Sequence, residues 1–510
     1  MFKRILVANR GEIALRVIRT AREHGIETVA VYSDVDRKAL HTRFAEQAIP
    51  LGGRLPSESY LDMDKVLAAA EKSGAQAIHP GYGFLSENAE FARRVKAAGL
   101  AWIGPPPDAI EKMGDKIVSR QIMEAAKVPM VPGMTEPAAS AEEALEAARE
   151  IGFPVMLKAA AGGGGKGIRI VETPEELPSA FKTASGEALA GFGDGRMYVE
   201  RYLRGTRHIE IQVLFDNHGN AVHLGERECS IQRRQQKLVE EAPSPVIDAE
   251  CRAAMGAAAL RAGAAVNYEG AGTVEFLWSE GEFFFLEMNT RLQVEHPVTE
   301  FVTGMDLVWE QLRVAAGEEL GHSQDDIELT GHSIEVRLNA EDPLNGYLPS
   351  VGTIENLRIP GGPWVRFDSG LYPNMEVGLD YDPMLAKLIV WAPNRAEAIE
   401  RMRRALEELN IGGIKTSAPA AMRVLHDEGF RKGDFHTQYL EAMDIREPDG
   451  PLHAVAAIAT AVHRFHTSRR RALSMRDAER LGWLARGRVA QSSFPHHAGG
   501  TRGFGRTECE

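Results

Sequence analysis

Two short apolar segments, Thr273–Trp278 (TVEFLW) and Phe283–Asn289 (FFFLEMN), flank Ser279-Glu280-Gly281-Glu282 and constrain the fold more than any other stretch. Aromatic and β-branched runs around a glycine-bearing turn predict a β-hairpin. Pairing symmetric about Gly281 sets Glu275 directly opposite Glu287. Their Cβ atoms would lie roughly 5 Å apart, where like charges destabilise a sheet. In that register Phe276, Phe284, Leu286 and Met288 share the other face, so that face is core and the acids look into a cleft. Beyond the hairpin, Glu287, Asn289, Arg291, Gln293 and Glu295 recur at a period of two. An extended chain would line all five along one face, about 7 Å between successive members, until Pro297 breaks the run. Such a row suits a metal, an anion and a base held in sequence. Oxygen ligands of this kind fit Mg²⁺ carrying nucleotide phosphates; two solvated acids on an open sheet are the plain alternative.

The first hundred residues alternate strand and helix signals. Arg4 to Ala8 reads as a buried strand, and Asn9-Arg10-Gly11 as a turn. A helix with Ile13, Val17, Ile18 and Ala21 on one face follows and stops at Gly25. Thr28 to Tyr32, Ala75 to His79 and Ala101 to Gly104 predict second, third and fourth strands. This alternation predicts a parallel, doubly wound sheet. The turn Asn9-Arg10-Gly11-Glu12 lacks G-x-G-x-x-G, which speaks against nicotinamide binding. Pro105-Pro106-Pro107 marks a boundary. From Pro154 strands resume at Val155 to Lys158 and Ile168 to Val171. A third unit near 330–445 carries strands Ser333 to Leu338 and Leu385 to Trp391 and a helix from Arg395 to Leu409. Ala454 to His463 reads as a helix, Arg469 to Arg471 as a solvated basic run, and His496 to Glu510 as disordered.

At 510 residues the chain is too long for one compact core. A formal charge of -13 argues against non-specific nucleic-acid binding, which needs basic surface. Cys229, Cys251 and Cys509 are too few and scattered for a disulfide framework or zinc site. No apolar run reaches the roughly 20 residues of a membrane span. The chain opens straight into its first strand, so a cytoplasmic enzyme with no membrane association is the expectation.

Between the strands at 155 and 171 lies Lys158-Ala-Ala-Ala-Gly162-Gly163-Gly164-Gly165-Lys166-Gly167. Four glycines let backbone N–H groups close over phosphate oxygens. No Gly-Lys-Ser/Thr follows, so this is not a P-loop. A loose hairpin turn is the bland reading; Lys158, Lys166 and nearby Lys116 favour triphosphate.

Together these stretches resemble the biotin carboxylase family within the ATP-grasp ligases. The resemblance is carried by Val7–Arg16 (VANRGEIALR), His79–Asn88 (HPGYGFLSEN), Met113–Lys116 (MGDK) and the Lys158–Gly167 loop. It continues through Arg207–Gln212 (RHIEIQ), Glu240–Pro243 (EEAP), Glu287–Val298, Glu335–Arg337, Asn339–Asp342 and Tyr381–Met384. The resemblance implies an α/β protein: a Rossmann-like N-terminal domain at 1–114, an ATP-grasp domain at 115–325 with a mobile lid near 132–204, and a C-terminal α+β domain at 326–445. Residues 446–510 would be a tail.

Residue by residue, the resemblance implies ATP contacts at Lys116, Lys158, Gly163, Gly164, Gly165, Glu200, Leu203, His208, Gln232, Glu275 and Glu287. It implies Mg²⁺ (or Mn²⁺) ligation by Glu275, Glu287 and Asn289. Lys237, Arg291, Gln293 and the Val294 backbone resemble a bicarbonate site, Glu295 its base, Arg337 the group that stabilises a biotin enolate, and Tyr82 the wall for the biotin ring. Ala-Met-Lys-Met is absent from the sequence, so biotin would be a substrate on a separate carrier rather than covalently bound here. The implied partners are a biotin carboxyl carrier protein, carboxyltransferase subunits and a second copy through Arg19, Glu23 and Arg366. The implied reaction is the first half of an acetyl-CoA or acyl-CoA carboxylase, hence fatty acid biosynthesis, with pyruvate carboxylase as the alternative setting. Gln235, Ala160, Ala161, Arg201 and Leu379-Asp380 depart from the family pattern. Two other readings stay open: an ATP-grasp ligase with another acceptor, and a non-catalytic scaffold.

Overall fold

The structure, a computed structural model, describes residues 1–134, 136–159, 168–192, 194–446 and 458–466. Met1–Ile445 form one compact unit and Arg446–Glu510 a second, of which 458–466 are helical. No helix among the described residues is long and apolar enough to cross a membrane.

The N-terminal alternation folds as a parallel sheet of β1 (Arg4–Val7), β2 (Glu27–Tyr32), β3 (Gln47–Pro50), β4 (Ala77–His79) and β5 (Ala101–Trp102), ordered β3-β2-β1-β4-β5. Helix Gly11–Glu23 buries Ile13, Val17, Ile18 and Ala21 as its spacing requires. The sequence reading passes over β3: a four-residue edge strand with one buried side chain, Ile49, carries too little periodicity to register.

A small antiparallel sheet, β7 (Ile168–Val171), β6 (Val155–Ala159) and β8 (Met197–Arg201), packs on helices Ala141–Ile151 and Leu177–Phe192. Its own core includes Val155, Leu157, Val171, Phe181, Met197 and Val199.

The largest sheet has eight strands. Its order is β13 (Glu282–Asn289), β12 (Gly270–Ser279), β9 (Arg207–Phe215), β10 (Ala221–Arg233), β11 (Gln236–Ala242), β14 (His332–Asn339), then strands Met384–Ala392 and Val365–Ser369. One side of β9 and β12 is apolar: Ile209, Ile211, Val274 and Phe276 pack under helix Ala249–Ala265. One side of β14 and Met384–Ala392 is likewise apolar, with Val336, Leu338 and Leu388 under helix Arg395–Glu408. Period two then turns the intervening polar residues onto the opposite side.

Two sequence expectations need correction here. The hairpin turn is the two-residue Glu280-Gly281, both at positive φ, so Ser279 pairs with Glu282 and Phe276 with Phe285. A register shift next to Glu275 then restores the Glu275–Glu287 rung. The shift expels Leu286, 45% exposed, and puts Phe285 into the core instead. The five-member polar row also does not stay extended. The strand ends at Asn289, the chain turns, and Glu295 becomes the N-cap of helix His296–Thr303. Pro297 opens that helix rather than breaking a strand, because the first turn needs no N–H from it.

Candidate active site

The polar side of the large sheet gathers its charges around Lys237. Its Nζ donates to Glu210 at 2.7 Å, to Glu275 at 3.1 Å and to Glu295 at 2.5 Å. Glu210 and Glu275 occupy one rung of β9 and β12, whereas Glu295 arrives from the helix cap. Three acids on one ammonium would repel strongly without further cations, and two arginines supply them. Arg227, fully buried on β10, donates Nε to Glu210, Nη1 to Gln212 and Thr299, and Nη2 to Thr273 and Gln293. Arg337 on β14 donates Nη2 to Glu295 at 2.8 Å and Nε to Glu240.

Burial alone would raise the Glu295 carboxyl, yet Lys237 and Arg337 hold it well below the ordinary carboxylate range. Glu275 behaves likewise, through Lys237 and the His208 ring nitrogen 2.8 Å away. Glu240 goes the other way. Burial, with Glu295 adding to it, pushes it up to about 7 despite Arg337. The site therefore keeps one carboxylate firmly ionised beside another that titrates near neutrality.

Gln293 bridges the cluster, accepting from Arg227 and donating to Glu275 at 2.8 Å. Arg291 leaves it, because the turn after Asn289 points its guanidinium at Glu87 (3.0 Å) and the Asn289 Oδ1 (2.9 Å). Val294 takes part through its backbone, the carbonyl accepting from Lys387 Nζ at 2.7 Å. Tyr82 is half-buried, its hydroxyl donating to Glu12.

The small sheet carries two of the residues expected to meet a nucleotide, Lys158 and Glu200. Glu200 accepts from Arg120 at 3.0 Å and from Lys158. Arg201 donates to Glu282 at 3.0 Å, Leu203 lies on the link between β8 and β9, and Gln232 is buried opposite Lys237. Lys116 is exposed at the start of helix Lys116–Ala125. Gly163, Gly164 and Gly165 lie outside the described residues.

For a metal, the expected Glu275, Glu287 and Asn289 are only partly assembled. Glu275 and Glu287 oppose each other on one rung, and the Asn289 Nδ2 is buried without a hydrogen bond. Among the described residues, however, the closest ligand groupings, within 4.8 Å, are His208, Glu210 and Glu275, and Glu210, Cys229 and Glu295. Glu287 opens to solvent; the protein mass around it and the facing Glu275 raise its carboxyl. An oxygen-rich donor set with one crowded acid and one open acid fits a hard cation shared with a ligand.

Sequence reasoning missed Glu210, Arg227, Glu240, Glu87 and Lys387. For Glu210 the signal was present, because His208, Glu210 and Gln212 alternate with isoleucine and valine.

An α/β chain with a polar sheet face and carboxylates clustered around a buried lysine fits the ATP-grasp ligases. Family models for the biotin carboxylase N-terminal domain match residues 1–110, for the carbamoyl-phosphate synthase L chain ATP-binding domain 115–323, and for the biotin carboxylase C-terminal domain 335–442. A pyruvate carboxylase subunit of Methanothermobacter thermautotrophicus is 53% identical over 86% of this chain and 90% of its own length. Biotin carboxylase 1 of Bacillus subtilis is 51% identical over 87% of this chain and 99% of its own. The biotin carboxylase domain dimer of Hydrogenobacter thermophilus 2-oxoglutarate carboxylase, solved with MgADP, ADP and bicarbonate, superposes with a TM-score of 0.79. It is 48% identical, covering 88% of this chain and 100% of that one. The chain belongs to the biotin carboxylase family, and is an enzyme of that class.

Proposed function

We propose that this chain carboxylates biotin held on a separate biotin carboxyl carrier protein, using bicarbonate and ATP, as one subunit of an acetyl-CoA or other acyl-CoA carboxylase in the cytoplasm. The observation that carries the reading is Glu295 fixed between Lys237 and Arg337. Bicarbonate attacks ATP well only after losing a proton, so a carboxylate base must sit beside its site. Lys237, Arg291, Gln293 and the Val294 backbone hold the anion. As bicarbonate draws Lys237 toward itself, Glu295 loses a neutralising partner and its basicity rises.

The oxygen atom so freed attacks the γ-phosphorus, and ADP leaves with the bridging oxygen. Lys116, Lys158 and His208 offset charge on the phosphates, Glu200 and Leu203 bind on the adenine side, and Gln232 is a further ATP contact. Mg²⁺, when bound to Glu275, Glu287 and Asn289, supplies further neutralisation of the phosphate oxygens. Carboxyphosphate splits into CO₂ and phosphate. The phosphate takes the ureido proton of biotin while Arg337 stabilises the enolate oxygen, and nitrogen adds to CO₂. The segment 132–204 closes as a lid against water, which would otherwise hydrolyse the intermediate. The domains are read as 1–114, 115–325 and 326–445, and the enzyme as a homodimer through Arg19, Glu23 and Arg366.

The similarity to a pyruvate carboxylase subunit favours a second setting, with pyruvate as final acceptor. The test of the common step is ATP hydrolysis by the purified chain with Mg²⁺ and bicarbonate, with and without free biotin. A rise on adding biotin, abolished by Arg337→Ala, supports the reading. Folded, ATP-binding protein with no bicarbonate or biotin response refutes it. Adding acetyl-CoA or pyruvate to the assembled complex separates the two settings.

A further inference from the structure

Behind the charge cluster a second, largely buried line of polar groups joins three parts of the chain. Lys387, 0% exposed, projects from strand Met384–Ala392. Its Nζ donates to the Val294 carbonyl at 2.7 Å and stands 3.5 Å from Glu12 Oε1. Glu12 lies in the first turn of helix Gly11–Glu23 and is itself buried; the same Oε1 accepts from the Tyr82 hydroxyl. The line thus runs Val294 carbonyl, Lys387, Glu12, Tyr82 phenol.

This line is poorly explained as packing. Lys387 shares one rung with Arg337 on one side and Asp368 on the other, so the sheet gives it one like and one opposite charge. Replacing a buried ion pair by apolar residues of similar volume is often neutral or stabilising. What the line does secure is geometry. Lys387 pins the peptide plane between Val294 and Glu295, and Glu12 pins the Tyr82 ring by its hydroxyl.

We infer that Lys387 and Glu12 are positioning residues that couple the bicarbonate subsite, at Val294 and Glu295, to the biotin subsite, at Tyr82. This rests on the proposed function. Either substrate, by seating its own end, orders the other end, so each subsite responds to a change made in the other.

The test measures KM separately for ATP, bicarbonate and free biotin in bicarbonate-dependent ATP hydrolysis by the full chain. Tyr82→Phe keeps the ring and removes only the hydroxyl that reaches Glu12. It is expected to raise the bicarbonate KM about threefold, with ATP KM unchanged, although Tyr82 is assigned to biotin. Lys387→Met is expected to raise both bicarbonate and biotin KM about tenfold, with partial rescue in Lys387→Arg. The double variant should fall short of the product of the single effects, because both act on one line. Should Lys387→Met not fold, Glu12→Gln, close in size and uncharged, takes its place with the same expectation. Unchanged bicarbonate KM in Tyr82→Phe and Glu12→Gln, with biotin-stimulated hydrolysis intact, overturns the coupling alone. Equal losses for all three substrates that track a lowered melting temperature also overturn it, leaving Lys387 a structural residue. Loss of the biotin response in the unaltered chain refutes the proposed function itself, a result distinguishable from either.

Discussion

Replacing Lys237 by Met removes one charge and keeps most of the stem, and its consequences can be worked from the geometry. Glu210 retains Arg227, Glu275 retains His208 and Gln293, and Glu295 retains Arg337 as its ion-pair partner with Arg227 acting at longer range. Unit charges about 3 Å apart at an effective dielectric near 20 interact by roughly 5 kcal/mol, and proton uptake relieves part of that loss. Losing that neutralisation moves the Glu295 carboxyl upward. In the unaltered protein Glu295 is depressed, so its stabilisation is present above its unfolded pKa and is lost as pH falls through the folded value. In Lys237→Met the orphaned carboxylate destabilises the fold by about 3–5 kcal/mol near pH 8, and protonation relieves this as pH falls. Thermal melts at several pH values should therefore show the gap between the two proteins narrowing as pH falls through the raised Glu295 value. The acid limb of kcat/KM for bicarbonate should move to higher pH, with activity at neutral pH down more than about 100-fold. A gap that is constant or widens toward acid, with the acid limb unmoved, would refute the assignment of Lys237 as the group that keeps Glu295 ionised.

Glu240, raised to about 7, keeps a proton in the native state that the unfolded chain releases from about 4.5 upward, so it lowers stability as pH rises across that window. Glu240→Gln lacks this loss, and its unfolding free energy in denaturant titrations should gain on the unaltered protein between pH 5 and 8, by up to about 3 kcal/mol. Leu286→Glu should change stability by no more than about 0.5 kcal/mol in a denaturant titration, since the register shift leaves Leu286 outside. A core leucine would cost about 2–5 kcal/mol, which would restore the unbulged register. Glu287→Gln should raise the Mg²⁺ concentration for half-maximal ATP hydrolysis roughly tenfold with little change in melting temperature; an unshifted Mg²⁺ titration removes Glu287 from the metal site.

Much of this was legible because it is written in short-range pattern. The Glu275–Glu287 rung follows from a turn and a period of two. The parallel sheet follows from alternating strand and helix signals. What failed was context. Leu286 looks like core until a two-residue turn forces a compensating bulge. Pro297 looks like a strand breaker until Glu295 caps a helix ahead of it. Lys387 reads as a lone charge in LAKLIVW, and nothing local says that its partners are 93 and 375 residues away. One departure from the family pattern, opaque in sequence, acquires a role: Asp380 holds Arg54 of the N-terminal part at 2.6 Å. Arg291 shows the same limit: its ion pair with Glu87, 204 residues away, has no local signal in the sequence.

Arg227 spends all five of its N–H groups on acceptors 15 to 72 residues away in sequence. Contacts of such span close late, because loop entropy must be lost before they reward it. Until strands β9, β10 and β12 and the helix at Thr299 have all docked, this guanidinium has no place to go, and Lys237 has no trio of acids to hold. Competence here is thus gained in a single stroke at the end of folding, and a chain arrested one step earlier would bring helix and sheet content yet no chemistry.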